Sequence, residues 1–317
     1  MKLTIERAAL LKSLGHVQSV VERRNTIPIL SNVLIEAKGD RVSLTATDMD
    51  LAIVEHTAAE VAGAGAATVP AHMLYDIVRK LPEGAQVQLE LAGDGSQVAI
   101  KAGRSRFTLQ TLPKEDFPST ASGDLPHRFP LSAVDLRSLI DHTRFAISTE
   151  ETRYYLNGIY LHAHSSGKQQ ALRAVATDGH RLARVEMPLP EGAEKIPGVI
   201  VPRKMVGEVR KLLEEVDGAV EVSLSDTRVR FAFDDTVLTS KLIDGSFPDY
   251  QRVIPTGNDK VLEIDRREFR DAIDRVSTIS SEKSRAVKLS LRRLWSVAST
   301  DQYSCGLNFS ISTSRSK

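Results

Sequence analysis

The chain has 317 residues, 41% hydrophobic and 26% charged, a globular composition that excludes wholesale disorder and leaves room for two or three domains at ~150 residues each. Lysine and arginine number 42 against 41 acids, so the net charge of +1 excludes a polycation without saying where charge is concentrated. A single cysteine, Cys305, excludes a disulfide framework and a thiolate zinc site and suits a reducing compartment. Met1-Lys2-Leu3-Thr4-Ile5-Glu6-Arg7 scatters charge with no unbroken apolar core behind it, and no run approaches ~18 apolar residues. A cytoplasmic chain without membrane association is expected.

In chain order, Leu10, Leu14 and Val17 form an apolar helical stripe, followed by alternating strands Val33–Ala37, Val42–Thr47 and Ala52–Glu55. A second helix is predicted over Ala71–Leu81, then strands Val87–Leu91, Gln97–Ala102 and Arg106–Leu112, with Gly93-Asp94-Gly95 as a hairpin turn. The pattern then repeats. Ala46-Thr47-Asp48 returns as Ala176-Thr177-Asp178, and Phe117-Pro118 as Phe247-Pro248, both at an offset of 130. Val69-Pro70 returns as Val201-Pro202 at 132, and Leu30-Ser31-Asn32 is matched by Leu156-Asn157-Gly158 at 126. Four matches in one order at nearly one spacing mean two copies of a unit of about 125 to 130 residues. Leu136, Ile140 and Thr143 take the place of the first stripe, and the second helix of the second copy is predicted from Pro202, a favoured first position.

A third copy opens with a helix over Asp265–Ile279, its stripe being Phe269, Ile273 and Val276. The faces opposite the three stripes carry Lys12 and His16, Arg137 and Arg144, and Arg266, Arg270 and Arg275. Arg203, Lys204, Arg210 and Lys211 lie on the second helix of the second copy. Cations recurring on equivalent helices suggest a shared basic surface, set against the blander reading of solvated faces. From Arg292 the chain turns serine-rich, with one acid, the only tryptophan and the only cysteine, and no strand-turn pattern like the earlier ones follows Leu291. The third copy is either naturally short or has had its continuation replaced, as by a change of reading frame; the second is favoured. The expected fold is α+β, with domains at 1–125, 126–254 and 255–317, each full copy built of two helix-plus-antiparallel-sheet halves and the third truncated.

No phosphate-binding loop, His-Glu-x-x-His or Gly-x-Ser-x-Gly motif occurs. Gly63-Ala64-Gly65 reads as a flexible connection rather than a dinucleotide loop. Glu150-Glu151, Glu214-Glu215 and Asp234-Asp235 are sequence neighbours whose side chains diverge, poor material for paired acid–base work. Thr177-Asp178-Gly179-His180-Arg181 could hold an Asp–His shuttle, but Asp48 lacks a following histidine and Asp-Gly is turn chemistry. No metal, cofactor or catalytic residue is expected.

Several stretches match one family: Arg24-Asn25-Thr26-Ile27-Pro28-Ile29-Leu30, Gly103-Arg104-Ser105-Arg106-Phe107 and Arg153-Tyr154-Tyr155-Leu156-Asn157-Gly158. Ala176-Thr177-Asp178-Gly179-His180-Arg181-Leu182, Val201-Pro202-Arg203-Lys204 and Phe247-Pro248-Asp249-Tyr250 continue the series. Up to Leu291 the chain resembles the bacterial sliding clamps, the beta subunit of DNA polymerase III. The resemblance implies repeated DNA-clamp domains, a head-to-tail homodimeric ring around duplex DNA and no catalysis. It also implies partners, namely the replicative polymerase, the clamp loader and repair polymerases, which dock short peptides in a cleft. Sliding needs phosphate-directed, sequence-blind charge, since base contacts would trap the ring.

By the same resemblance DNA is contacted by Arg24, His72, Arg153, Tyr154, Tyr155, Arg203 and Lys204. His72 stands where some relatives have arginine and Glu150 where some have glutamine, and tyrosines in a strand would otherwise pack on the sheet. The near wall of the peptide cleft would be Leu156, Thr177, Gly179, His180, Arg181, Leu182, Pro248, Arg252 and Val253, an apolar pocket rimmed by arginines. The short third domain predicts a monomeric or weakly associated chain. Two other classes compete: an enzyme using Asp178 and His180, and a nucleic-acid-binding module that never encircles.

Overall fold

The computed structural model of the chain describes residues 1–119, 123–167, 169–257, 259, 262–278, 287–293 and 307–312, in two compact units, 1–248 and 249–317. The first repeat runs β1 (Lys2–Glu6), α1 (Arg7–Val20), β2 (Asn32–Lys38), β3 (Arg41–Thr47), β4 (Leu51–Ala58), β5 (Glu60–Gly63), β6 (Gly65–Pro70), α2 (Ala71–Lys80), β7 (Gln86–Leu91), β8 (Gln97–Ala102) and β9 (Ser105–Gln110). The second runs β10 (His127–Ser132), α3 (Ala133–Asp141), β11 (Gly158–Ser166), β12 (Gln169–Thr177), β13 (Leu182–Pro188), β14 (Val199–Pro202), α4 (Arg203–Leu212), β15 (Ala219–Leu224), β16 (Arg228–Ala232) and β17 (Thr236–Lys241). Apart from β5 the two orders coincide.

Every strand pairing described is antiparallel. In each repeat the first strand joins the last three, and four of the strands before the second helix form a second set, in the order β4-β3-β2-β6 in the first repeat and β13-β12-β11-β14 in the second. The sheets β1-β7-β8-β9 (extended by β5) and β13-β12-β11-β14 stand separately, while the other two fuse into one of eight strands, β10-β15-β16-β17-β4-β3-β2-β6. The fusion is the pairing of β17 with β4, Thr236 opposite Glu55 through Ser240 opposite Leu51. Hydrogen bonding therefore runs unbroken from one repeat into the next.

The predicted stripes do what their period requires. Leu10, Leu14 and Val17 are fully buried on α1, which packs on β3, β4 and α2 and touches α4. Leu136 and Ile140 are buried on α3, which also meets α4. Thr143 departs from the predicted helix: α3 ends at Asp141, and Thr143 is buried just beyond it, its Oγ1 donating to the Leu139 carbonyl at 2.6 Å. Pro202 is the last residue of β14 rather than the first of α4, because it pairs across to Gly158 before the helix starts at Arg203. Strand alternation puts Val42, Leu44 and Ala46 of β3 and Leu51 and Ile53 of β4 into one continuous core under the helices.

Gly63-Ala64-Gly65 is the tight turn between β5 and β6, not a loose connector; Gly65 has φ +153° and a Cβ there would lie 3.1 Å from the Met1 backbone. Gly158 is closer still to its neighbour: a Cβ on it would run into the Val201 carbonyl of β14. Gly158→Ala is therefore expected to cost about 2 kcal/mol by forcing β11 and β14 apart, read as a lower urea midpoint.

The second unit contributes α5 (Arg266–Ser277), capped by Asp265, and the ribbon β18 (Lys288–Arg293) with β19 (Leu307–Ser312). The α5 stripe of Phe269, Ile273 and Val276 is only half-buried. β19 lies where no further strand was expected after Leu291; its apolar–polar alternation is of strand period. No helix among the described residues is long and apolar enough to cross a membrane.

Candidate nucleic-acid interface and partner cleft

The helical cations divide into those that are neutralised and those that are not. Lys12 on α1 pairs with Glu215 at 3.0 Å, Arg144 with Asp141 at 3.2 Å, and Lys211 with Glu208 at 2.7 Å. Arg210 is mostly buried between Asp141 and Glu214. Arg137 does not face solvent as its helix position implied, since its guanidinium donates to the Leu213 carbonyl from α3 to the end of α4. Helical spacing specifies a face but not which acids a neighbouring repeat brings to it. Among the described residues Arg23, Arg24, Lys80 and Arg203 are exposed cations without a side-chain partner.

Lys204 reaches across the junction of the repeats. Its ammonium donates to Asp48, to Glu22 at 3.2 Å and to the Val20 carbonyl at 3.3 Å. Burial works against its charge, but Asp48 and Glu22 outweigh that and hold its pKa above the ordinary lysine value. His72 is half-buried at the start of α2, its ring nitrogens on the Gln18 side chain at 2.8 Å and the Val21 carbonyl at 3.0 Å. These two predicted DNA contacts are thus committed to holding helices and repeats together.

The same junction contains a buried carboxylate. Glu55 on β4 is 5% exposed and accepts from Thr236 Oγ1 of β17 at 2.7 Å and Ser13 Oγ at 3.4 Å, while His16 Nδ1 stands at 3.0 Å. The other ring nitrogen of His16 meets Glu215 at 3.2 Å. Burial lowers the imidazole pKa, but the two carboxylates more than reverse that and raise it above the ordinary value. Ser19 donates to Glu208 at 2.5 Å close by. No sequence signal joins Glu55 to Thr236, 181 positions apart; only the sheet does.

Tyr154 and Tyr155 do not lie in a strand. They occupy a short 3₁₀ segment, Glu151–Leu156, ahead of β11, which lifts them off the sheet. Tyr154 is 54% exposed, and the rings meet edge to face at 5.8 Å between centroids. Arg153 is clasped by Glu150, with Nη2 to Oε2 at 2.7 Å, which holds its pKa even higher than usual and offsets its attraction for phosphate. Its guanidinium also lies against Gly179, joining this segment to the turn that follows β12.

That turn is organised by Asp178, whose Oδ1 accepts from the backbone N–H groups of His180 (2.9 Å) and Arg181 (3.0 Å) and whose Oδ2 takes Arg181 Nε at 3.0 Å. Burial raises the Asp178 pKa, but these donors overcome it and the net shift is downward, an acid fixed as structural carboxylate. Both oxygens are engaged by backbone and arginine, so the shuttle geometry with the His180 ring is not formed. Gly179 has φ +89°, which the tight turn requires. Arg181 stacks over Phe145 at 5.7 Å. Leu156 is buried, Thr177 and Leu182 half-buried, and Gly179, His180 and Pro248 exposed. Arg252 and Val253 belong to the 249–317 unit, on a short turn where Asp249 holds Arg252 Nε at 2.9 Å and Val253 is 68% exposed. No group of three or more potential metal ligands exists among the described residues.

A sheet-and-helix unit duplicated along one chain, its sheets continuous from repeat to repeat, defines a DNA-clamp scaffold. The descriptions of the N-terminal, central and C-terminal domains of the DNA polymerase III beta subunit match residues 1–121, 131–249 and 251–295 in order. A beta sliding clamp of Caulobacter vibrioides is 60% identical over 291 residues, 92% of this chain and 78% of the relative. The crystal structure of a Caulobacter crescentus beta sliding clamp with polyethylene glycol bound to its putative beta-motif tethering region superposes with a TM-score of 0.90 at 55% identity, covering 98% and 83% of the two chains. One from Bartonella birtlesii bound to griselimycin gives 0.89 at 55% identity, over 92% and 78%. The chain belongs to the DNA polymerase III beta subunit family, the beta sliding clamps, and is a non-catalytic processivity factor of DNA replication.

Proposed function

We propose that this chain tethers a replicative polymerase to duplex DNA from the cytoplasm, on the scaffold of clamps that hold DNA by enclosure in a head-to-tail ring, with ring closure weakened by the divergence of its third unit after Leu291. The observation that supports this most is the fusion of sheets between repeats through β4 and β17: a unit that extends the next edge to edge can build a wall around an opening. The cations left without partners, Arg24 and Arg203 foremost, supply weak phosphate attraction, with Tyr154 beside them in the proposed contact set as an exposed aromatic. Lys204, His72 and Arg153 act chiefly by shaping that surface, since their side chains are already engaged. The wall of Leu156, Thr177, Gly179, His180, Arg181, Leu182 and Pro248 receives an extended peptide from the polymerase, the clamp loader or a repair polymerase.

The DNA reading has a direct test. Binding to short duplexes of unrelated sequence is expected to be equal within error and to weaken steeply with salt. Arg24→Ala and Arg203→Ala are each expected to reduce the slope of log affinity against log salt by about one. Lys204→Ala should leave that slope nearly unchanged and show its effect in stability. A preferred sequence, or slopes untouched by Arg24→Ala and Arg203→Ala together, would overturn the assignment.

A further inference from the structure

The turn proposed for the peptide cleft has a twin in the first repeat, and the twin opens onto a groove of its own. With an offset of 130, Thr47, Met49, Asp50, Ala52 and Pro118 correspond to Thr177, Gly179, His180, Leu182 and Pro248. The hydrogen bonds correspond as well. Thr47 Oγ1 donates to the Leu51 carbonyl at 3.0 Å as Thr177 Oγ1 does to that of Arg181 at 2.7 Å. Asp48 Oδ1 accepts from the N–H groups of Asp50 and Leu51 as Asp178 Oδ1 does from His180 and Arg181. Thr47 pairs with Ala52 across β3 and β4 as Thr177 pairs with Leu182 across β12 and β13. Phe117 packs with Ile29, Leu30 and Leu34 as Phe247 stacks on Tyr160.

Met49 is the position where the twins part company. Its φ of +81° is matched by +89° at Gly179, yet it is the only non-glycine with positive φ among the described residues, and its side chain is 52% exposed. A left-handed methionine is strained, so the site keeps a flexible apolar side chain where glycine would be easier. Beside these residues, on the strands of the second repeat that continue the sheet, lie Arg228, Thr239, Ser240 and Lys241, and together they line a groove of about 220 Å³. Arg228 and Lys241 face each other directly across β16 and β17. Like charges so placed repel, and Asp50 answers Lys241 at 2.9 Å. The groove is thus apolar at Met49 and Pro118, and along its other side carries two cations, Arg228 and Lys241, with the single carboxylate of Asp50 paired to Lys241.

We infer that the groove between the first and second repeats is a second peptide-binding site, taking an extended acidic segment of a partner protein whose small apolar side chain lies under Met49 and whose carboxylate meets Arg228 and Lys241. The inference leans on the proposed cleft only for the class of ligand; the lining of this groove lies within residues 1–248. It would let one chain hold two peptides, one beside the Asp48 turn and one beside the Asp178 turn.

The five methionines make the test direct. The full chain, labelled with ¹³C at the methionine methyls, is titrated with the peptide Gly-Asp-Leu-Asp-Val-Gly. The Met49 resonance, assigned by Met49→Leu, is expected to shift saturably. Lys241→Gln should weaken the response about fivefold, the loss of one exposed ion pair, and a peptide with lysine in place of both aspartates should not elicit it. Arg181→Glu, which disables only the proposed cleft, should leave the Met49 response intact, so that either site can fail alone. A Met49 signal unmoved by millimolar peptide, or moved equally by the lysine peptide, overturns the inference whatever happens at Arg181.

Discussion

Glu55→Ala is expected to destabilise residues 1–248 by about 3 kcal/mol, visible as a lower urea midpoint. The carboxylate is almost sealed from water and binds Thr236 and Ser13 with His16 beside it, so its loss leaves two hydroxyls without an acceptor and an imidazole facing Glu215 alone. Because Thr236 opens β17 and Glu55 lies opposite it on β4, the damage falls where the two repeats share a sheet. The pH dependence follows from His16. Its pKa in the folded chain lies above the ordinary 6.5, so the folded state binds the proton more tightly than the unfolded one. That contribution is complete below about 6.5 and is lost as pH rises through the raised value. Glu215 works from the other side: the bond from Lys12 leads the causes that lower its pKa, so its contribution is present above the ordinary 4.5 and fades as pH falls through the lowered value. The junction is therefore strongest between these limits. His16→Gln should flatten the decline on the alkaline side, with Glu55, Glu215 and Lys12 otherwise unchanged; an alkaline slope as steep as the wild type's would show that some other group carries it.

Much of this architecture is legible in the sequence because duplication writes it twice. The 130-residue offset located the Asp48 and Asp178 turns, and helical period located the buried faces of α1 and α3 within a residue or two. What lay beyond reach depended on distance in sequence. The pairing of β4 with β17 joins positions about 180 apart, and neither strand carries a mark of which edge it will meet. For the same reason the basic helices looked freer than they are: Lys12 and Lys204 find acids in the other repeat, which no helical wheel reveals. The tyrosine pair was misplaced because aromatic, apolar neighbours suggest a strand, whereas the chain makes a 3₁₀ turn before Leu156 enters the core. β19 was missed although Leu307, Phe309 and Ile311 alternate with polar residues, since a serine-rich composition outweighed a period-two signal.

At micromolar concentration the 317-residue chain is expected to sediment as a monomer of 34.8 kDa. The reason lies in the rule by which its repeats join. β17, the last strand of one repeat, extends β4, an edge strand of another. The equivalent donors and acceptors left over are β9, the last strand of the first repeat, and β13, the counterpart of β4; both are edges of their sheets. The concavity beside β9 is lined by Met73, Ile77 and Phe107, with Met73 and Phe107 exposed, an apolar surface of the kind that another copy covers. To close a ring, a third repeat must offer the counterpart of β4 to a partner's β9 and the counterpart of β17 to β13. The match to the family's C-terminal domain runs only over residues 251–295, against 1–121 and 131–249 for the first two domains, and the sequence beyond it diverges from the family. A single edge contact without its reciprocal leaves the interface short of the area that stable association needs. Without closure, DNA is held by charge alone, so release from nicked circular and linear duplex should be equally fast and equally salt-sensitive. A species of twice the monomer mass, or slow release from the circle that linearisation abolishes, would mean that the divergent third unit closes the ring after all.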